Sequence, residues 1–231
     1  MRLADGDWSV EASRPRAEDD PVLGPARIFD LVPVPVRHAL LVPVLSRPGV
    51  TLGPSLARRP EVVERIRAVA GIGEVRTSPI GGTVGPGGPA WLSLLFALRL
   101  PPGLPRPLDQ VLEVVSSWLE ARLEDLRLGR GRVAGAWCPG FSDLSVDGRK
   151  LVGVGFKLRR DQALARAVLA VHPPTASELQ ALNLCHLAFG AGVAAESLVS
   201  LAELKAQPGM TREQALELLG MEAAPAGMII P

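Results

Sequence analysis

Cys138 and Lys150 are the two side chains of this 231-residue chain best placed, by type and spacing, for covalent chemistry. The thiol ends an apolar stretch, VAGAWC, and is followed at once by Pro139 and Gly140. Proline cannot donate to a strand ladder, and glycine opens torsions barred to other residues. The pair therefore predicts that the chain leaves regular pairing beside the sulfur. A thiol attacks acyl groups as its thiolate, a form that a nearby cation favours. Lys150 stands just beyond Asp147-Gly148, a hairpin-turn dipeptide, so a strand folding back could carry its ammonium to the same pocket. There it could also polarise an acyl carbonyl. Each residue has a plainer reading as well: a small buried hydrophobe for the cysteine, a solvated turn residue for the lysine. The chain has only three lysines, so the position of each carries information.

The string CPGFSDLSVDGRKLVG, residues 138–153, resembles the CPGxxDLSxxGxKxxG segment of octanoyl/lipoyl amidotransferases. These are a cysteine-dependent branch of the biotin/lipoate protein ligase family. Cys138, Pro139, Gly140, Asp143, Leu144, Ser145, Gly148, Lys150 and Gly153 match at fixed spacing. In that branch the cysteine carries an acyl group as a thioester, which then passes to a lysine of a carrier protein. The resemblance thus implies catalytic roles for Cys138 and Lys150 and substrate-binding roles for Asp143, Ser145 and Gly153. It extends upstream: Thr51 to Gly53 is similar to the family's (S/T)LG strand end. Arg76 to Val84 is similar to its RRxxGGGxV loop, with Arg76, Gly81, Gly82 and Thr83 implied in substrate binding.

That loop departs from the family pattern at two positions. Thr77 replaces the second arginine, which removes a bidentate phosphate clamp, and Ile80 replaces the first glycine. A branched side chain crowds the approach of backbone N–H groups to an anion. Both changes weigh more against nucleotide chemistry than against thioester transfer. Downstream, Phe156 and Lys157 stand where the family tends to have Gln and Arg, and ALARAVLAV lacks the usual glycine or histidine.

The elements that must position these residues follow from periodicity and punctuation. HALLVPVL and GVTLG read as two strands broken by Ser46-Arg47-Pro48. PEVVERIRAVA reads as a helix with Pro60 in its first turn and Gly71 as its stop. WLSLLFALRL is a buried strand. PLDQVLEVVSSWLEARLEDLRLG is the clearest helix, with one apolar face along Leu108, Val111, Leu112, Val115, Leu119 and Leu123. VAGAWC, DLSVDGRKLVGVGF and ALARAVLAV read as strands, and helices follow Thr175. Cys185, among Leu179, Leu182, Leu187 and Phe189, reads as a core cysteine, and adjacent His186 faces away from it.

Composition excludes several classes. Lys and Arg total 25 against 24 Asp and Glu, which gives no electrostatic footprint for nucleic acid. No apolar stretch approaches the ~20 residues needed to span a bilayer, and acids fill the N-terminus where a signal peptide needs an apolar run. Two cysteines make no disulfide framework, and no metal-ligand cluster is visible. A reducing cytoplasm is the expected setting.

The expected fold is α+β, with mixed or antiparallel sheets flanked by helices, as in biotin/lipoate ligases. Residues 1–26 are expected to form a flexible arm, 27–174 the catalytic-type domain, and 175–231 helices packed on it. The resemblance implies transfer of an octanoyl or lipoyl group, without a required cofactor, to a lysine of a lipoyl carrier protein. That carrier would be a glycine cleavage H protein or a dehydrogenase E2 lipoyl domain. Two alternatives stay open: an ATP- and Mg-dependent lipoate-protein ligase, and a catalytically degenerate paralogue that only binds the acyl carrier.

Overall fold

The computed structural model describes residues 2–3, 8–13, 16–17, 35–78, 80, 82–188 and 190–221. Its strands are β1 (Arg2–Leu3), β2 (Trp8–Ala12), β3 (Arg16–Ala17), β4 (His38–Leu45), β5 (Gly49–Leu52), β6 (Glu74–Thr77), β7 (Val84–Gly87), β8 (Trp91–Arg99), β9 (Gly129–Arg130), β10 (Leu144–Val146), β11 (Arg149–Arg159) and β12 (Gln162–Ala170). Its helices are α1 (Pro54–Ala57), α2 (Pro60–Arg67), α3 (Pro107–Arg122), α4 (Ala176–Leu187), α5 (Leu201–Leu204) and α6 (Arg212–Leu218). Among the described residues, a main sheet runs in the order β1-β2-β4-β8-β12-β11-β10-β9, with β3 also paired to β4. A small sheet has the order β6-β5-β7. The mixed α+β class read from the sequence is what the chain adopts.

The main sheet is centred on its most apolar segments. Eight of the nine residues of β8 are buried, and it pairs antiparallel with both β4 and β12. Pro43 is tolerated within β4 because of where it falls. The Leu41 carbonyl accepts from Ser13 on the outer side, so the missing N–H of Pro43 faces that side too. There β2 pairing stops at Leu41 and β3 pairing begins only at Val44, so no ladder bond is lost.

The two faces of this sheet carry different partners. Leu92, Leu94, Phe96 and Leu98 of β8 point with Ala165 and Ala167 toward α3, whose Val111, Val115, Trp118 and Leu119 are buried against them. Ala215, Leu216 and Leu219 of the C-terminal helix α6 join the same core. Trp91, Val168 and Ala170 face the other way, toward the small sheet with α1, α2 and α4. A third apolar group on that side unites Val42, Val44, Leu95, Ala97 and Leu164 with Ile80.

Two expectations give way. Trp8–Ala12, placed by sequence in a loose arm, forms a strand parallel to β4, because Trp8 buries its ring in the main core. VAGAWC is not a strand: Gly135 turns the chain at φ 73, Trp137 is driven into the core, and β10 holds the place beside β11. The Asp147-Gly148 turn forms as read, with φ of 49 and 76 and Val146 paired to Arg149. No helix among the described residues is long and apolar enough to cross a membrane.

Candidate active site

The irregular segment after Trp137 brings Cys138 to a half-open cleft between the two sheets. The cleft holds about 470 Å³ of empty space, its mouth included. Thr51 and Gly85 of the small sheet, Gly153 of β11, and Arg166 and Val168 of β12 line it, with Trp137 and Cys138 at one side. Register explains the opening. Gly153 pairs with Val168 and Gly155 with Arg166, so β11 offers no side chain on the cleft face at either position.

Cys138 sits at φ 44, in the left-handed region that costs an L-residue about 1–2 kcal/mol. Surrounding bonds hold it there. Its N–H donates to His186 Nε2 at 2.6 Å, and its sulfur accepts the Thr83 N–H at 3.0 Å. Its carbonyl, with that of Trp137, accepts from Lys150 Nζ at 3.2 and 2.6 Å. Gly82, at φ 112, comes close beneath the sulfur; a Cβ built there would lie 3.7 Å from Sγ. A strained conformation fixed on every side is a feature of reactive centres.

Lys150 is fully buried and does not open on the cleft. Besides the two carbonyls it pairs with buried Asp143, Nζ to Oδ1 at 2.7 Å, and lies 4.4 Å from the centre of the Trp137 ring. The ammonium is thus held by two carbonyl acceptors and one carboxylate counter-charge. Burial pushes the lysine down and the Asp143 carboxyl up, each opposed by the charge of the other. Asp143 also accepts the Gly140 N–H at 3.1 Å, which closes the PGFSD turn. The expected acyl-polarising ammonium is instead a tie beneath the Cys138 loop. The cause lies in the packing: β11 carries Lys150 inward opposite that loop, and Gly153 leaves the room. A Cβ on Gly153 would lie 3.0 Å from Lys150 Cε and 3.3 Å from Trp137.

The remaining sequence-derived residues divide. Gly82 lines the cleft, and Thr83 supplies the N–H to the sulfur. Gly81 lies outside the described residues. Arg76 shares a face with Thr51, its pairing partner, but its side chain binds Glu74 and the Arg47 carbonyl at 3.0 Å each and leaves the cleft. Ser145 is at the far edge of the sheet, where Oγ donates to the Gly129 carbonyl at 3.4 Å. Cys185 is sealed in the core, where burial pushes its thiol up to about 12.

Sequence reasoning missed His186 and Arg166. Burial, with the nearby Lys150 charge, holds the His186 ring down at about 4, so it is a neutral acceptor for the Cys138 N–H. Its place next to Cys185 on a helix gave no sign of this role. Arg166 reaches from β12 to Ser93, donating to Oγ at 3.2 and 2.9 Å. It lies on ALARAVLAV, the strand that lacks the family's usual glycine or histidine, and that departure was the available signal. Among the described residues no group of three or more His, Cys, Asp or Glu could hold a metal ion.

Residues 71–173 match the model of the biotin/lipoate A/B protein ligase family. No curated protein matches the chain significantly. Among solved structures, a candidate lipoate protein ligase from T. acidophilum with bound lipoic acid superposes with a TM-score of 0.59 at 13% identity, over 90% of this chain and 83% of its own. A second structure of that protein gives a TM-score of 0.55 at 12% identity, over 78% and 69%. The resemblance read from the sequence is thus shown for the family-type domain and for the fold. Neither comparison distinguishes the cysteine-dependent branch.

Proposed function

We propose that this chain, with its biotin/lipoate ligase-type fold and matching segment, moves an octanoyl- or lipoyl-class acyl group between lysines of carrier domains through a thioester on Cys138. The observation that carries this reading is the setting of the Cys138 sulfur. It is a thiol on the wall of a cleft with apolar Ile80, Val84, Trp137, Val154 and Val168 in its lining, on a backbone held in a strained conformation. Burying an aliphatic chain there is favourable by ~0.8 kcal/mol per CH₂.

In the first step the sulfur attacks the acyl carbon of an acyl-lysine amide. The C–S bond forms, the C–N bond breaks, and the departing amine takes the thiol proton. The acceptor lysine amine then attacks the thioester, the C–S bond breaks, and the proton returns to the sulfur. No nucleotide is consumed. Lys150, Asp143 and His186 act in this scheme by holding the loop that presents Cys138, and the Thr83 N–H is placed to donate to the thiolate. Ile80 supports the nucleotide-free form of the reaction, because it puts a branched side chain in the cleft where the family's loop has glycine.

The test uses an octanoylated lipoyl domain as donor and an unmodified one as acceptor, without ATP. The expected result is ATP-independent transfer, with a hydroxylamine-labile mass increase on the protein that is lost in Cys138→Ala. Transfer that requires ATP and survives Cys138→Ala would establish the ligase reaction instead. Carrier binding with no transfer from any donor would identify a binding protein.

A further inference from the structure

The cleft that receives the acyl chain is not uniformly apolar. Thr51 is only 5% exposed, lines the cleft, and its Oγ1 has no hydrogen-bond partner among the described residues. A buried hydroxyl left without a partner is unfavourable, and most such groups in native proteins find one. Its backbone neighbours cannot answer it from the sheet. Arg76 and Gly85 flank Thr51 in register, and Arg76 turns away to Glu74 and the Arg47 carbonyl while Gly85 has no side chain. The two sheets face each other here: a Cβ on Gly85 would meet Val168 of β12 at an ordinary contact distance of 3.8 Å. Across the cleft, β12 contributes Val168 and, two residues away on the same face, Arg166, which binds Ser93 Oγ. Ser78 lines the cleft as well.

We infer that Thr51, with Arg166 beside it, reads a hydrogen-bonding group carried on the acyl chain, so that the preferred acyl donor is a chain with a polar substituent rather than a plain saturated one. This rests on the reading of the cleft as an acyl site and names the class of chain it takes. A saturated octanoyl group would pass Thr51 Oγ1 and still leave it unsatisfied. A hydroxyl or carbonyl on the chain would satisfy it, and the sulfur atoms of a lipoyl group would do so more weakly. A site built to bond a polar group discriminates sharply against the analogue lacking it, since its own buried group is then stranded.

The test compares eight-carbon acyl thioesters as donors to Cys138: octanoyl, lipoyl, and a set of hydroxyoctanoyl thioesters with the hydroxyl moved along the chain. Loading is read by intact mass. At least one hydroxylated donor is expected to load about tenfold faster than octanoyl. Thr51→Val, which swaps the hydroxyl for a methyl group of the same shape, should bring that ratio close to one, while Thr51→Ser should keep it. A ratio near one in the unmodified protein, or a preference that persists in Thr51→Val, overturns the inference. Should no donor load, the thioester reading fails by itself. Calorimetric titration of the corresponding free acids into Cys138→Ala then decides this one. A hydroxylated acid bound about tenfold tighter than octanoate, with the gap lost in Cys138→Ala/Thr51→Val, upholds the inference. Equal binding, or none, overturns it.

Discussion

At Cys138 three hydrogen bonds converge on one strained residue, and the groups behind two of them have energies large enough to measure. Replacing Lys150 with Met strands the Asp143 carboxylate in the core, a change that typically costs 3–5 kcal/mol. Urea unfolding of Lys150→Met should show about that loss, and a second change, Asp143→Leu, should recover much of it. If Lys150→Met kept full stability, the ammonium would not be the tie described above. His186 gives a pH signature. Its folded value of about 4 lies below the ordinary 6.5, so the unfolded chain binds the proton more readily. Stability from this group is fully present above about pH 6.5 and is lost as pH falls toward 4, by about 3 kcal/mol at most. His186→Gln offers the Cys138 N–H an acceptor that does not titrate. The difference in unfolding free energy between the two proteins should therefore shrink or invert as the solution is acidified through that window. A difference that stays constant with pH would mean that the ring does not stay neutral in the fold.

At the scale of the elements, the site is a consequence of what β11 leaves out. Gly153 and Gly155 open the cleft face, and Gly153 makes space for the Lys150 stem. Gly153→Ala should push Lys150 and Trp137 apart, destabilise the protein by about 1–3 kcal/mol, and change the intrinsic tryptophan emission; an unchanged spectrum and stability would argue against this packing. The hairpin, the central strands and the long helix were legible in the sequence because each follows local rules: an Asp-Gly turn, apolar runs of strand length, and a 3.6-residue stripe on Val111, Val115 and Leu119. The CPG release beside Cys138 was legible for the same reason. VAGAWC was misread as a strand because its alternation is genuine while its ladder position belongs to β10. Lys150 pointed to the site, yet its inward direction depends on β11 packing under the Cys138 loop, and no local pattern encodes that. The links from Cys138 to His186 span 48 residues and those from Arg166 to Ser93 span 73, separations that only the folded sheet order resolves.

Across the whole molecule, the last helix shares a core with the main sheet: Leu216 of α6, and Leu219 just past its end, belong to the same cluster as Leu94, Phe96 and Trp118. Leu216→Ala should therefore lower the stability of the entire domain by about 2–5 kcal/mol in one cooperative transition, read by thermal unfolding. A separate early transition would show α6 to be an independent unit. The two sheets converge on one cleft, and the account of function stands on the sulfur at its side. The most direct measurement is peptide mapping by mass spectrometry after the intact protein has been exposed to an acyl-thioester donor and then trapped at low pH. The account predicts a hydroxylamine-labile acyl group on the peptide bearing Cys138, retained in Cys185→Ala and absent from Cys138→Ala. Acylation confined to Cys185, or a label that survives loss of Cys138, would contradict it.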